Sequence, residues 1–521
     1  MSHERRITGA ASVISALTAA SRVLGYLRDA ALAYVFGAGL LADAFFMAFR
    51  ISNLLRRLVG EGALTSSFIP IFTDEMSRRD RNALRALASS VFTLFALILA
   101  ALAIIGIIFS REIVWVMAPG FLSDPGKFEL TVSLTRWMFP YMLFVGLMGI
   151  AMGVLNSYRH FTAPALSPVL FNLAIIASIF AIAPYLDSPV YALVAGVLAG
   201  GIFQLLLQVP FLGRVGMLPR FSFGFRDSAI RKIFALMGPA AFGIGVYQLN
   251  IFVTMWFASG LPEGAVSYLY YAGRLMELPL GVFGVSVTTA VLPSLSEQVT
   301  RKDWDGFKGS ISFAVRIVNF IMIPATIGLL VLSYPIIELL FMRGEFTSAD
   351  AAGTATALYF YAFGLVPVAI ARILTSVFYS LKDTMTPVWI ALIAFLFNAV
   401  FCFVLIGPLG HGGLALATTL AALVNCSILF VVLRMKFGRF GVTGMLVSGL
   451  KSTGAALVMG VLVYLLAFGI VDIPGGVWRA VLLSACLGLG VISYLAASKF
   501  MGVTELVFLK GFLFRRGKKA G

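Results

Sequence analysis

Apolar residues fall in long runs along the chain, and polar and basic residues collect in the short stretches between them. A helix needs about 20 mainly apolar residues to cross a hydrocarbon core. Windows of that length give fourteen predicted spans. They cover residues 8–36, 42–75, 86–110, 130–155, 161–186, 189–213, 229–258, 265–296, 311–335, 352–379, 386–407, 412–434, 446–469 and 477–499. The expected fold class is an all-α polytopic membrane protein. Spans 2 and 8 each exceed 30 residues. At about 1.5 Å per residue they are longer than a core of roughly 30 Å, so each must bend or project beyond it. Gly60-Glu61-Gly62, Pro70, Pro279 and Pro293 mark the predicted bends. Gly149/Gly153 and Gly196/Gly200 have the spacing of close helix packing, a weak and common signal.

Composition agrees with a lipid environment. Of 521 residues, 60% are hydrophobic and 12% charged, against about 45–50% and about 25% in soluble domains. A formal charge of +16 would suggest nucleic acid for a soluble protein, but here the basic residues punctuate apolar runs, so no nucleic-acid partner is expected. With the N-terminus placed in the cytoplasm, 26 of the 39 Lys and Arg fall on inside segments, 5 on outside segments and 8 within spans. That bias supports fourteen spans with both termini cytoplasmic, because losing one helix would exchange the sides of every later loop. The first apolar run carries Arg22, Arg28 and Asp29 and is too long for a cleavable signal. Cys402, Cys426 and Cys486 sit in apolar stretches and read as small buried hydrophobes. His3, His160 and His411 lack the spacing of metal ligands, and there is no phosphate-binding loop. No metal, cofactor or ATPase activity of the chain's own is expected.

The chain contains an internal repeat. Phe46-Met47-Ala48-Phe49-Arg50-Ile51 resembles Tyr270-Tyr271-Ala272-Gly273-Arg274-Leu275 at an offset of 224. Ile69-Pro70, preceded by Thr65-Ser66-Ser67, resembles Leu292-Pro293, preceded by Thr288-Thr289, at 223. Ser157-Tyr158-Arg159 with Pro164 resembles Ser380-Leu381-Lys382 with Pro387, also at 223. The offset spans six helices, an even number, so the copies run in the same orientation. This predicts two six-helix lobes in parallel pseudo-repeat, at 1–222 and 223–440, followed by two extra helices and a basic tail at 441–521. Two lobes about a shared centre suggest a transporter.

Charged side chains within spans cost about 2.5–3.5 kcal/mol each at the bilayer centre on insertion scales, so each calls for a partner or a watery cavity. The cations are Arg22, Arg28, Arg50, Arg56, Arg57, Arg274, Arg316 and Arg372; the acids are Asp29, Asp43, Glu61, Glu277 and Glu338. Asp43 and Glu338 lie near outer helix ends, so the interior is cation-rich. Arg22 and Asp29, seven apart, share a helix face. Arg57 and Glu61 have the spacing of a local ion pair, and Arg274 and Glu277 can pair three apart. Arg28 and Arg56 have no acid three or four residues away on the same helix, which makes them the best candidates to face an anion. Arginine never deprotonates and grips phosphate oxygens in pairs, which suits a diphosphate. Arg316 and Arg372 read as structural. Arg50 and Arg57 are balanced between structural and ligand-facing roles.

The run Ser21-Arg22-Val23-Leu24-Gly25-Tyr26-Leu27-Arg28-Asp29-Ala30 resembles the first helix of the MurJ family of lipid II flippases. So do Phe36-Gly37-Ala38-Gly39 with Asp43-Ala44-Phe45-Phe46, and Asn53-Leu54-Leu55-Arg56-Arg57 with Glu61-Gly62-Ala63. The likeness continues through Ala272-Gly273-Arg274-Leu275 and covers essentially the whole chain. That family sits in the multidrug/oligosaccharidyl-lipid/polysaccharide exporter superfamily. The resemblance implies a flippase, not an enzyme. It would move lipid II, the undecaprenyl-diphosphate-linked peptidoglycan precursor, across a bacterial inner membrane by alternating access. It assigns Arg22, Arg28, Arg56 and Arg274 to the cationic cavity, with Ser21 and Asp29 beside them and Asp43 and Glu61 as further transport residues. It implies that spans 13 and 14 form a groove for the lipid tail. Two other readings differ in cargo. A flippase for another diphosphate-linked oligosaccharide would share the same physics. A multidrug or cation antiporter of the superfamily would place unpaired carboxylates where this chain has arginine.

Overall fold

A computed structural model of the chain describes residues 3–55, 64–468 and 477–506. Among the described residues all regular structure is helical and there is no strand. In chain order the helices are α1 (His3–Phe36), α2 (Leu40–Leu55), α3 (Leu64–Arg78), α4 (Arg81–Ile108), α5 (Ser110–Met117) and α6 (Pro125–Met138). There follow α7 (Pro140–Ser157), α8 (Thr162–Ala181), α9 (Tyr191–Arg214), α10 (Ser228–Ser259), α11 (Ala265–Pro279) and α12 (Val285–Arg301). The last six are α13 (Trp304–Phe341), α14 (Ser348–Ala362), α15 (Leu365–Ser380), α16 (Met385–Phe437), α17 (Val442–Phe468) and α18 (Val477–Phe500).

Among the described residues, 9 helices are long and apolar enough to cross a membrane, or up to 11 when each of two bent pairs is taken as one span. The expected fourteen is not reached by that measure. Part of the difference is local. The α2–α3 segment contains residues 56–63, outside the described residues, so the bend expected at Gly60-Glu61-Gly62 falls there too. The 53-residue α16 breaks at Gly410, whose backbone is left-handed (φ 54, ψ −131). A Cβ on Gly413 would stand 2.1 Å from the carbonyl oxygen of Leu405. Residues eight apart in a continuous helix are about 12 Å apart along its axis, so the chain folds back here and α16 holds two antiparallel runs, as the separate spans 386–407 and 412–434 predict.

Two bends of more than 40° fall at breaks without proline, between Gly243 and Gln248 (44°) and between Ala362 and Leu365 (46°), while the prolines expected to mark bends lie within or at the end of helices. α11 ends on Pro279 and passes through one π-helical turn, Leu280–Gly284, before α12. Pro70 lies inside α3 and Pro293 inside α12. Gly196 and Gly200 of α9 let α8 approach: an added Cβ would meet Ser178 at 2.2 Å and Phe171 at 2.7 Å.

The repeat is written into the helix caps. α4 and α13 begin at 81 and 304, α6 and α14 at 125 and 348, α8 and α16 at 162 and 385, each pair 223 apart. Asp80 caps α4 by accepting from Ala83 N–H at 2.8 Å, and Asp303 caps α13 by accepting from Gly306 N–H at 2.9 Å. After α7 and α15 the chain turns through left-handed Arg159 (φ 59) and Lys382 (φ 60). The next amides, His160 and Asp383, reach back to Leu155 and Phe378 at 2.9 and 3.0 Å. This 6→1 bond closes the helix end that a glycine usually occupies.

Packing divides the chain into two compact units, Met1–Val266 with Arg343–Phe346, and Ser267–Met342 with Thr347–Gly521. In the first, α8 packs on α1 and α9, α2 on α6, and α10 on α3. Its core gathers Phe68, Phe72, Phe95, Met142 and Ile230. In the second, α13 packs on α14, α15, α17 and α18, around Phe307, Phe378 and Phe440 in one cluster and Phe320, Met459 and Tyr494 in another. Phe403, Leu450 and Leu465 point outward, as side chains facing lipid do.

Where α3 ends and α10 begins, Arg79 clamps Asp227 through two hydrogen bonds of 2.5 and 2.8 Å and also pairs with Glu75. Asp227 in turn caps α10 through Ala229 N–H at 2.9 Å. The Arg79 bonds hold the Asp227 carboxyl below the usual carboxylate range. A depressed folded-state value means the contribution is complete above the unfolded value and is lost as pH falls through the folded one. Asp227→Ala should cost about 1–2 kcal/mol for the lost cap and clamp. It should also blunt the loss of thermal stability on acidification, both read from melting of the protein in detergent across pH.

Candidate functional site

Arg28 lies near the end of α1 with its side chain 8% exposed, and Asp29 is fully buried beside it. Arg28 Nε and Nη2 donate to Asp29 Oδ1 at 3.0 and 2.6 Å, and Nη1 donates to Asn172 Oδ1 of α8 at 3.2 Å. The amide of Asn172 also donates to the carbonyl oxygen of Ser21 at 3.1 Å. Asn172 therefore spans two turns of α1 and fixes the plane of the guanidinium. The expectation that Arg28 has no acid on its own helix is corrected: it considered only spacings of three and four, and the acid is the next residue. The long Arg side chain curls back to reach a carboxylate about 100° round the helix. Ser21 is half-buried and Arg22 exposed on α1.

Asp43 builds a second node. It sits in the first turn of α2, where the helix dipole favours a negative charge. It is 1% exposed, accepts from Lys127 Nζ of α6 at 2.7 Å, and accepts from Gly264 N–H at 2.9 Å. Lys127 Nζ stands 4.4 Å from the centre of the Phe121 ring. The neighbouring Glu263 carboxylate accepts from Leu40 N–H, the first amide of α2. The turn before α11 is thus tied to α2 twice. Asp43 is a buried carboxylate engaged by both Lys127 and Gly264 in this geometry.

In the second unit Arg274 pairs with Glu277 at 3.2 Å, as the three-residue spacing predicts. Arg372 Nη1 reaches the Leu280 carbonyl at 3.5 Å, where the π-turn begins. Arg316 lies 3.2 Å from Glu505, and Arg479 meets Glu338 at 2.5 Å; both are structural pairings, as expected of Arg316. Arg56, Arg57 and Glu61, including the expected Arg57–Glu61 pair, lie outside the described residues. Of the predicted site residues, the structure joins Ser21, Arg28 and Asp29 through Asn172. It places Asp43 in a separate node with Lys127, and Arg274 in the other packing unit.

Three contributors escape a reading of charge alone. Asn172 is an amide within an apolar run, and that position was its available signal. Lys127 counts in the sequence only as an outside charge. Glu505 follows the last span and reads as solvated tail, yet it is 1% exposed.

The profile of the family described as Lipid II flippase MurJ matches residues 32–482. The chain belongs to the MurJ family. A probable lipid II flippase MurJ of Vibrio cholerae is 36% identical over 515 residues, covering 96% of this chain and 97% of the relative. The lipid II flippase MurJ of Burkholderia cenocepacia is 36% identical over 514 residues, covering 97% and 98%. Among solved structures, a lipid II flippase MurJ in an inward closed conformation superposes with a TM-score of 0.78 at 28% identity, covering 94% of this chain and 98% of that one. An inward-facing multidrug resistance MATE family transporter of the MOP superfamily superposes at 0.66 with 14% identity, covering 80% and 94%. That second match speaks for the shared fold alone.

The Asp43–Lys127 pair sets a test of what the second node does. Asp43→Leu leaves a buried ammonium without its counter-charge and should cost about 3–5 kcal/mol. Adding Lys127→Met should recover most of that, because a buried pair replaced by apolar side chains is often near neutral. Thermal unfolding of the two single variants and the double variant measures the coupling.

Proposed function

We propose that this chain is a flippase that carries lipid II from the cytoplasmic to the periplasmic leaflet of a bacterial inner membrane, with both of its termini in the cytoplasm. Nothing covalent happens to the cargo. Membership of the MurJ family is the observation that carries this reading, and the relatives that bear the lipid II flippase name match this chain over nearly its full length. The repeat supports two six-helix lobes, 1–222 and 223–440, that open alternately to either side. The last two spans serve the lipid tail. Membrane lipid is the other partner.

Arg22, Arg28, Arg56 and Arg274 receive the diphosphate and headgroup in this reading, with Ser21 and Asp29 positioning Arg28 and with Asp43 and Glu61 as further transport residues. The geometry around Arg28 explains how a cation waits at membrane depth without cargo. Asp29 compensates its charge and Asn172 holds its plane. A diphosphate oxygen is a stronger acceptor than the Asn172 amide, so arriving cargo competes first for Nη1. Asp29 keeps Nε and Nη2 oriented while it does so. Cargo release returns the guanidinium to the same two partners, which resets the site.

Arg28→Ala and Arg56→Ala should abolish cargo movement while leaving folded protein in the membrane. Arg28→Lys should weaken it severely, since a point charge loses paired recognition of phosphate oxygens. The assay is reconstitution with labelled lipid II and measurement of headgroup accessibility. Full complementation of a flippase-depleted strain by Arg28→Ala would remove Arg28 from the site.

Energy supply gives a separate expectation. The cargo is an anion and the cytoplasm is electrically negative, so outward movement gains about 2.3 kcal/mol per elementary charge per 100 mV. Over a full cycle the protein's own charges return to their starting places, and only the cargo and any coupled ion count. Collapsing the potential should slow headgroup arrival outside, while collapsing the pH gradient with the potential intact should not. Arrest on loss of the pH gradient alone would establish proton coupling instead.

A further inference from the structure

α17 and α18 pack on α13 and on each other. Near the start of α17 and the end of α18 this three-helix seam is polar. α13 contributes Arg316 and Asn319, α17 contributes Ser448 and Ser452, α18 contributes Ser498, and the turn after α18 contributes Glu505. Glu505 is 1% exposed, and Ser452 and Ser498 are fully buried. The groups converge. The amide of Asn319 lies 3.7 Å from where a Cβ on Gly449 would stand, between Ser448 and Ser452. Tyr494, one turn before Ser498, donates its hydroxyl to the Phe320 carbonyl at 2.7 Å, and Phe320 is one turn beyond Arg316. The same hydroxyl faces Ser452 and Ser498 and lies in the field of Glu505. Phe320, Ala455, Ala456 and Met459 wall the seam with apolar surface.

Among the described residues, seven buried atoms here are without a hydrogen-bond partner: Arg316 Nε, Asn319 Oδ1, the hydroxyls of Ser448, Ser452 and Ser498, and both carboxylate oxygens of Glu505. Arg316 Nε stands 3.2 Å from Glu505 Oε1, close enough to compensate charge, but the angle makes no hydrogen bond. Native interiors rarely leave such atoms unsatisfied. We infer that this seam is a hydration site, in which a few ordered waters join α13, α17 and α18 around the Arg316–Glu505 pair. Charge decides the class of occupant. The arginine opposes a metal cation, and the carboxylate opposes an anion. A neutral molecule that both donates and accepts suits a set of three acceptor oxygens, three hydroxyls and one N–H donor. A buried water makes about three hydrogen bonds, so two or three waters satisfy all seven atoms. α17 and α18 are thereby fastened to α13 by a polar, exchangeable contact. The site involves none of the side chains proposed to receive the diphosphate and headgroup.

Hydroxyl-radical footprinting by X-ray radiolysis, on the full chain in lipid nanodiscs, tests this directly, because radicals form from water bound beside a buried side chain. Tyr494 is 5% exposed and Tyr271 0% exposed, so solvent access alone predicts little oxidation of either. Tyr494 should be oxidised several-fold faster than Tyr271. The Ser452→Val, Ser498→Val double variant fills the seam with methyl groups and should bring the Tyr494 rate down to that of Tyr271. Protection of Tyr494 equal to that of Tyr271 in the native chain would overturn the inference. So would an undiminished Tyr494 rate in a folded double variant. If the double variant does not fold, the native comparison decides alone. Neither measurement requires transport, so the result is independent of the proposed cargo.

Discussion

A charge removed from water must find its counter-charge inside the protein, and that constraint fixes how the helices of each unit meet. Lipid offers neither ions nor hydrogen bonds, so an unpaired carboxylate or guanidinium there is far costlier than a missing apolar contact. In the first unit Arg28, Asp29 and Asn172 join α1 to α8, and Asp43 and Lys127 join α2 to α6. In the second, Glu338 draws in Arg479 and Glu505 draws in Arg316. Apolar packing is nearly indifferent to register in a bilayer, because lipid tails resemble leucine. The ion pairs are not indifferent, since each works at one rotation and one height. They select among the many ways in which apolar helices could otherwise slide and turn.

The same physics explains what was legible beforehand. Apolar runs, basic connections and prolines are local, and they gave the helical class and the division of α11 from α12. The repeat was visible in three short anchors. In the structure it extends to paired caps at Asp80 and Asp303 and to left-handed turns at Arg159 and Lys382, features that depend on backbone geometry more than on residue identity. Partners were harder to read. Helix spacing found the Arg274–Glu277 pair, which is local. It could not find Asn172, 144 residues from Arg28, and it passed over Asp29 because a neighbour in sequence does not share a helix face. Glu505 was hidden by its place beyond the last predicted span, where a charge needs no buried partner. The second-span residues Arg56, Arg57 and Glu61 remain expectations of sequence alone.

Two kinds of discontinuity interrupt these helices, and they have different consequences. At Gly410 the chain reverses outright, with a backbone angle that costs glycine nothing and most residues something. At Leu280–Gly284 it loosens into one wider turn without a break in the helix. A π-turn leaves carbonyls poorly matched to the helical ladder, and Arg372 approaches the first of them. The turn follows Pro279, five residues after Arg274 on the same helix. A helix that yields at one place lets the residues on either side of it be oriented separately.

The Arg343–Phe346 segment carries a consequence for how the protein is made. It lies between α13 and α14 in the chain, but it packs with the first unit. Glu345 N–H donates to the Tyr34 carbonyl at 2.9 Å, and any side chain at Gly344 would collide with that same carbonyl. During synthesis from the N-terminus, α1 to α10 are complete long before this piece exists. The first unit can insert and pack early, but its last contact at the end of α1 has to wait while α11, α12 and α13 are also translated. Assembly of the two units is therefore interleaved on the ribosome: the first is finished only after the second has been begun.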